Sequence, residues 1–277
     1  MSGGFLSGGA GGGRSELGLR TASAIVLGAV ALGSAWSGGW PLAIVWSLAG
    51  AVAAREWCAM AQPIPAPARG AAGLAAAVAV GLTGLAAFAG WPEAAVLAGA
   101  AASAGLGYAI TRSGAGALQT LLAFAVGAVL AVTPVAARHL PVIGPGVLLW
   151  MFAVVWTTDI AAYFTGKTFG GPKLWPRVSP GKTWSGFAGG TLFGALAGVA
   201  LLTLGFGWSL SWNLVAVSAL ASVLGQGGDL AESALKRHAG VKDSGALIPG
   251  HGGVLDRLDG FWAVTALVAA GMLLGIL

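Results

Sequence analysis

Five of the chain's nine carboxylates, Asp229, Glu232, Asp243, Asp256 and Asp259, fall between residues 229 and 259 of an otherwise apolar sequence. The same stretch, GDLAESALKRHAGVKDSGALIPGHGGVLDRLDG, supplies Lys236, Arg237, His238, Lys242, His251 and Arg257. Charge beside a membrane is expensive and therefore usually functional. Acids that hold a divalent cation, bases that hold phosphates and glycines that admit backbone to a ligand are the parts of metal-assisted phosphoryl chemistry. Asp229, Glu232, Ser233 and Lys236 recur at i, i+3, i+4 and i+7, so on a helix they share one face and both carboxylates could meet one cation. A helix-end ion pair of Glu232 with Lys236 is the structural alternative. Gly225, Gly227 and Gly228, just ahead, would permit a kink or a close backbone approach. Asp256 and Asp259 are expected to open the last helix one turn apart, where an acid also suits the positive end of the helix dipole. Asp256, facing back toward Asp229 across a helical hairpin, reads as the second metal ligand, with Asp243 and Arg257 beside it. His251, set among Gly250, Gly252 and Gly253, contacts phosphate or base, or else bonds its own loop.

A second group lies upstream. Asp159, preceded by Thr157 and Thr158, sits eight residues before Lys167, about 12 Å along a helix, and an acid inside an apolar span needs a partner. The following segment carries Lys167, Lys173, Arg177 and Lys182, and Ser179 to Thr183 leads into the next helix, whose first N–H groups could bind phosphate. Gly181, Lys182 and Thr183 look like the end of a Walker A loop but lack its GxxxxGK[ST] spacing. Lys167 and Lys173 serve equally well as anchors at the membrane surface.

The elements that must position these groups are membrane helices. Only 8% of residues are charged and 57% are hydrophobic, outside the range of soluble domains. Apolar stretches of spanning length are expected at about 19–36, 40–61, 71–90, 93–110, 115–137, 145–167, 183–205, 211–238 and 258–277. The chain thus reads as an all-α polytopic membrane protein of about nine helices, eight if the short Ser37-Gly38-Gly39 connection does not separate the first two. Three regions follow: a disordered Gly-rich tail over 1–15, N-terminal transmembrane helices over 16–140 and a C-terminal catalytic region over 141–277. The tail precedes Arg14 and Arg20 without the order of a cleavable signal, so the first helix is expected to be retained.

With the N-terminus inside, every Lys and Arg falls on the cytoplasmic side except Arg138, as the positive-inside rule requires. The polar site is then cytoplasmic. The net charge of +5 is spread along membrane edges, which favours anionic lipid over nucleic acid. Cys58 is the single cysteine, so no internal disulfide is available and packing is its expected role. Tryptophans at 36, 40, 57, 91, 184, 208 and 212 sit near span ends as interfacial anchors. Gln62 to Gly70, rich in proline, reads as a non-helical linker. No inverted repeat is evident, which weighs against a transporter.

Together these residues resemble the phosphatidate cytidylyltransferase (CDP-diacylglycerol synthase) family. Its signature S-x-x-K-R, K-D, P-G-H-G-G, D-R-x-D stands here as Ser233, Lys236-Arg237, Lys242-Asp243, Pro249 to Gly253 and Asp256-Arg257 with Asp259. Its S-P-G-K-T motif stands at Ser179 to Thr183, and its acid-aromatic span at Asp159 and Tyr163. The resemblance covers about residues 150 to 262; the N-terminal half matches in hydropathy alone. Two positions depart from the pattern, Thr158 in place of Ala and Ser185 in place of Glu. The resemblance implies transfer of CMP from CTP to phosphatidic acid, with Mg²⁺ (one ion or two) held by Asp229 and Asp256. Asp229, Lys236, Arg237, Asp243, Asp256 and Arg257 would be catalytic. Asp159, Ser179, Lys182, Thr183, Lys242, His251, Gly252 and Gly253 would bind substrate. It also implies a homodimer in a bacterial-type inner membrane, with the active site cytoplasmic. A CTP-dependent enzyme acting on another membrane lipid, such as an isoprenoid alcohol or an ether lipid, and an ion-coupled transporter are the competing readings.

Overall fold

The computed structural model describes residues 12–277, apart from the side chains of residues 12–17, 19 and 20. Of the tail expected over 1–15, residues 1–11 lie outside the described residues, and helix already begins at Gly12. In chain order the elements are α1 (Gly12–Ser37), α2 (Gly39–Met60), α3 (Arg69–Phe88), α4 (Pro92–Thr111), α5 (Gly114–Arg138), α6 (Gly144–Phe169), a hairpin of β1 (Lys173–Trp175) and β2 (Ser179–Thr183), α7 (Trp184–Ala200), α8 (Trp212–Ala239) and α9 (Phe261–Leu273). The helices from α2 to α8 are long and apolar enough to cross a bilayer, with α1 and α9 supplying shorter apolar segments. The protein is therefore a polytopic α-helical membrane protein. The first two helices are separate, joined through Gly38 and Gly39 at φ +61° and +51°, a left-handed backbone that side chains disfavour.

Small residues let the helices touch. Where α2 crosses α5, a Cβ on Gly127 would lie 2.6 Å from the Gly50 carbonyl oxygen, so the two backbones are in contact, the arrangement that Gly and Ala favour when lipid is the solvent. On α7, Gly190, Gly194 and Gly198 face Thr158, Val154 and Trp150 of α6. Thr158, which departs from the family pattern, is buried there and bonds to Ser222 of α8 at 2.7 Å. Around this small-residue packing the aromatic rings of Trp46, Phe152 and Phe261 stack with centroids 5.0 Å apart for the Trp46–Phe261 and Phe152–Phe261 pairs. They join α2, α6 and α9.

Three local expectations change. Ser179 to Thr183 is not a loop running into a helix: it forms β2, pairing antiparallel with β1 in the register Lys173 to Thr183 and Trp175 to Ser179. The proline-rich linker holds a single 3-10 turn at Ala66–Ala68 before α3. Asp256 and Asp259 do not open the last helix, because α9 starts at Phe261 and Asp256 sits in a separate 3-10 turn, Leu255–Arg257. The glycines ahead of Asp229 produce no break, since α8 runs through them; instead a Cβ on Gly228 would lie 2.6 Å from the Asp259 carbonyl oxygen. Gly225 and Gly228 bring α8 against the turn into α9, whereas Gly227 faces open space.

Candidate active site

Two cavities meet at Asp159. The larger, about 670 Å³, lies between α6, the hairpin, α7 and α8, lined by Lys167, Lys173, Lys182, Thr183, Gln226 and Asp229 as well as Asp159. The hairpin accounts for the position of Lys182: β2 carries it across the mouth of the cavity, and its ammonium pairs with Asp229 Oδ2 at 2.5 Å. Thr183 ends the strand and caps α7 by accepting from the Gly186 N–H at 3.1 Å. Ser185, where the family pattern has Glu, donates to the Gly170 carbonyl and so ties the start of α7 to the end of α6. Lys167 stands over the ring of Tyr163, 5.6 Å from its centroid, held by a cation–π contact. Three ammonium groups thus line a cavity that is also lined by two carboxylates.

The second cavity, about 390 Å³, is an apolar groove walled by Leu27, Trp46, Phe152, Trp156 and Phe261, with Asp159, His251 and Arg257 at its polar end. Arg257 and His251 also line a third, strongly polar recess of about 610 Å³ with Lys242 and Asp243. His251 bonds through Nδ1 to Ser23 of α1 at 2.7 Å, which orients the ring and leaves its other nitrogen for a ligand. Asp159 lies within electrostatic reach of Asp229, Lys182 and Arg257.

The loop after α8 is held by carboxylates rather than left open. Asp256 is buried. Its Oδ1 accepts from Lys236 Nζ at 2.7 Å, while Oδ2 accepts from Ser244 N at 2.8 Å, Ser244 Oγ at 2.9 Å and Gly253 N at 2.8 Å. Burial alone would raise its pKa, but the Lys236 bond and the backbone donors of Gly253 and Ser244 outweigh it and hold the carboxyl below its usual range. Lys236 also reaches Glu232 Oε1 at 3.2 Å, so the ion pair expected as an alternative for Glu232 is formed. Asp229 and Glu232 share a helix face yet turn to different partners, Lys182 and Lys236. The glycines of PGHGG serve this packing. A Cβ on Gly252 would stand 2.7 Å from Asp256 Oδ2, and Gly252 adopts φ +83°.

The structure therefore gathers Asp159, Lys182, Thr183 and Asp229 at one cavity, and Lys242, Asp243, His251, Gly252 and Arg257 at the polar recess. It leaves others aside. Ser179 pairs with Trp175 in the hairpin, outside the residues lining the cavity. Arg237 is exposed and caps its own helix end through the Val241 carbonyl at 3.3 Å. Gly253 packs against Ser244 and Glu56. Sequence reasoning passed over Glu56, on α2, which accepts three hydrogen bonds from this loop. The available signal was an acid inside an apolar span, the criterion that singled out Asp159.

Whether a cation fits can be judged from the acids. Burial, then the charges of Asp229 and Asp159, push the Asp259 carboxyl above its usual range, so the acids of this corner lie close enough to act on one another. Among the described residues no three His, Cys, Asp or Glu side chains converge as a cage. Mg²⁺ takes one or two carboxylates and completes its shell with water and substrate phosphates. Asp229 and Asp159, opening on one cavity, match that demand. Asp256 would reach an ion only through Oδ1, alongside Lys236.

A profile of the cytidylyltransferase family matches residues 18–274. The chain is 54% identical over 121 residues to a protein of Brucella suis named phosphatidate cytidylyltransferase, a stretch covering 44% of this chain and 44% of that protein. It is 48% identical over 122 residues to the protein of that name from Staphylococcus aureus strain COL, covering 44% of this chain and 46% of the relative. The matched stretch thus spans under half the length of these relatives.

Proposed function

Because this chain belongs to the cytidylyltransferase family, we propose that it is a phosphatidate cytidylyltransferase, transferring CMP from CTP to phosphatidic acid with release of pyrophosphate. One observation carries the reading: Asp159 lines both the lysine-rich cavity and the apolar groove. A nucleotide triphosphate in the first and a diacylglycerol phosphate in the second would bring their phosphates together at that carboxylate. Both volumes fall in the range of small-molecule sites. The groove supplies what a lipid needs, apolar walls for acyl chains and, at its polar end, Arg257 and His251 for the phosphate.

The chemistry follows from those placements. A phosphate monoester has a second pKa near 6, so the acceptor is already a nucleophile at neutral pH and no dedicated base is needed. Its oxygen forms a bond to the α-phosphorus of CTP, the bond from that phosphorus to the α–β bridging oxygen breaks, and pyrophosphate leaves. Lys167, Lys173 and Lys182 offset the charge of the departing group, and Arg257 orients the lipid phosphate for in-line attack. Asp229, with Asp159 beside it, is the proposed holder of Mg²⁺, and Asp256, the other ligand expected from the sequence, anchors the adjoining loop. When bound, the ion would neutralise phosphate charge and polarise the reacting phosphorus.

The orientation is proposed on the same basis. Arg138, the one basic residue expected outside, bonds to the Ala35 carbonyl at 3.1 Å, near the connection between α1 and α2. The charged loops gather around the end of α2 marked by Glu56, which would face the cytoplasm.

The test is an assay on purified protein in detergent with labelled CTP and phosphatidate. Lipid-soluble label and equimolar pyrophosphate, lost with excess chelator and restored by Mg²⁺, are the expected result. Label on an isoprenoid alcohol or ether lipid but not on phosphatidate would overturn the acceptor; CTP-independent flux of solute would overturn the enzyme. Lys182→Ala should raise the KM for CTP about tenfold, the loss of one charge-assisted contact, with the lipid KM unchanged. Normal CTP saturation would remove Lys182 from the nucleotide site.

A further inference from the structure

We propose that Glu56 is a positioning residue for the loop that carries Asp256 and Arg257, an inference that rests on the CMP-transfer reading for its kinetic readout. Glu56 belongs to α2, in the half of the chain where none of the signature residues lies, and it is 6% exposed. Its Oε1 accepts from the Val254 N–H at 3.1 Å, and Oε2 accepts from the Leu255 N–H at 2.8 Å and the Ser244 hydroxyl at 3.1 Å. Val254 and Leu255 begin the turn Leu255–Arg257, whose first N–H groups lack partners within the turn. A side chain 198 residues away in sequence supplies them. Glu56 therefore caps the short turn that presents Asp256 and Arg257.

The loop is built to receive that carboxylate. A Cβ on Gly245 would stand 2.6 Å from Glu56 Oε1, and one on Gly253 would stand 2.6 Å from Oε2, so both positions have room for a hydrogen and nothing larger. Ser244 ties the two acids together, since its hydroxyl lies within bonding distance of Glu56 Oε2 and Asp256 Oδ2. Each oxygen of Glu56 faces a backbone N–H, Val254 on Oε1 and Leu255 on Oε2, which demands a group that only accepts. A carboxylate satisfies that, whereas an amide would turn its NH₂ against an N–H. Charge, and not only size, is what the position requires. A buried carboxylate within an apolar helix is costly unless it is used. The lysine-rich cavity, walled by α6, the hairpin, α7 and α8, lies outside these bonds.

The inference predicts a split in kinetics. In Glu56→Gln, kcat should fall at least tenfold and the KM for phosphatidate should rise about fivefold, while the KM for CTP stays within about twofold, since the lipid end of the site is displaced and the nucleotide cavity is not. Amide hydrogen exchange at Val254 and Leu255 should quicken while exchange in α6 and α7 is unchanged. Gly253→Ala approaches the contact from the loop side and should reproduce both effects, which covers the case of a Glu56 variant that does not fold. Glu56→Asp, which keeps the charge on a shorter arm, should recover part of kcat. Wild-type kcat with unaltered exchange, or a parallel rise of both KM values with faster exchange throughout, would overturn the inference. If the unaltered protein transfers no CMP at all, the functional reading fails, and hydrogen exchange still decides whether Glu56 holds the loop.

Discussion

Asp229→Asn is expected to lower CMP transfer about 10³-fold, equivalent to about 4 kcal/mol of transition-state stabilisation, while the protein remains folded. The carboxylate lies on α8 in the wall of the lysine-rich cavity, bonded to Lys182 at 2.5 Å, and both side chains are only 27% exposed. Asparagine keeps its shape and can still accept from the Ser233 hydroxyl, which now donates to Asp229 Oδ1 at 3.3 Å. What it removes is the negative charge that balances Lys182 and would hold Mg²⁺ against the triphosphate. The loss should therefore fall on kcat and on the Mg²⁺ requirement together. Raising Mg²⁺ should not restore the rate, and Mg²⁺ should raise the melting temperature of the unaltered protein but not of the variant. A variant keeping more than about a tenth of the rate at limiting Mg²⁺ would take Asp229 out of the metal site, because loss of a ligand is worth several kcal/mol.

Asp256→Ala should cost stability as well as activity, and this separates it from Asp229. Four hydrogen bonds end on Asp256, from Lys236 Nζ, both donors of Ser244 and the Gly253 N–H. Lys236 and Asp256 side chains are 12% and 3% exposed, so truncation leaves the Lys236 ammonium with Glu232 alone and strands two backbone donors. Breaking such a pair from one side costs about 3 kcal/mol or more, enough to lower the melting temperature by several degrees. CMP transfer should fall below detection, since the turn carrying Arg257 loses its anchor. The sign of the pH dependence follows from the same contacts. The folded-state pKa is depressed, so the stabilisation is full above the ordinary carboxylate value and is lost as pH falls through the lower folded one. In Asp256→Ala that acid-side loss should be smaller than in the unaltered protein. Unchanged melting temperature would show that the existing pair of Lys236 with Glu232 is enough to hold it.

Much of the fold was legible because membrane helices are encoded locally. Nine apolar stretches became nine helices among the described residues, since a length of about 20 apolar residues and glycine or proline punctuation act within each segment. The cluster from Asp229 to Asp259 stood out for a similar reason: charge in so apolar a chain is rare enough to mark a site. Local reasoning failed where two distant segments settle one another. The run from Ser179 to Thr183, with its proline and glycine, reads as loop, yet becomes β2 because Lys173 to Trp175 lies opposite to pair with it. Asp256 carries one carboxylate whether it binds a metal or a lysine, and only its neighbours Lys236, Ser244 and Gly253 decide which bonds form. Gly252 and Gly253 also leave room for Asp256, Ser244 and Glu56, a packing role that spacing alone does not show.

By itself, then, the sequence determined that the protein is helical, lies in a membrane and concentrates its charge near its C-terminal helices, because composition and periodicity act residue by residue along the chain. Tertiary structure alone decided that Asp159 joins two cavities, that Lys182 rather than Glu232 faces Asp229, and that Glu56 caps the turn bearing Asp256. Each of these is a hydrogen bond, ion pair or shared wall between segments far apart in sequence, and such pairings leave no period or spacing from which either partner could be read.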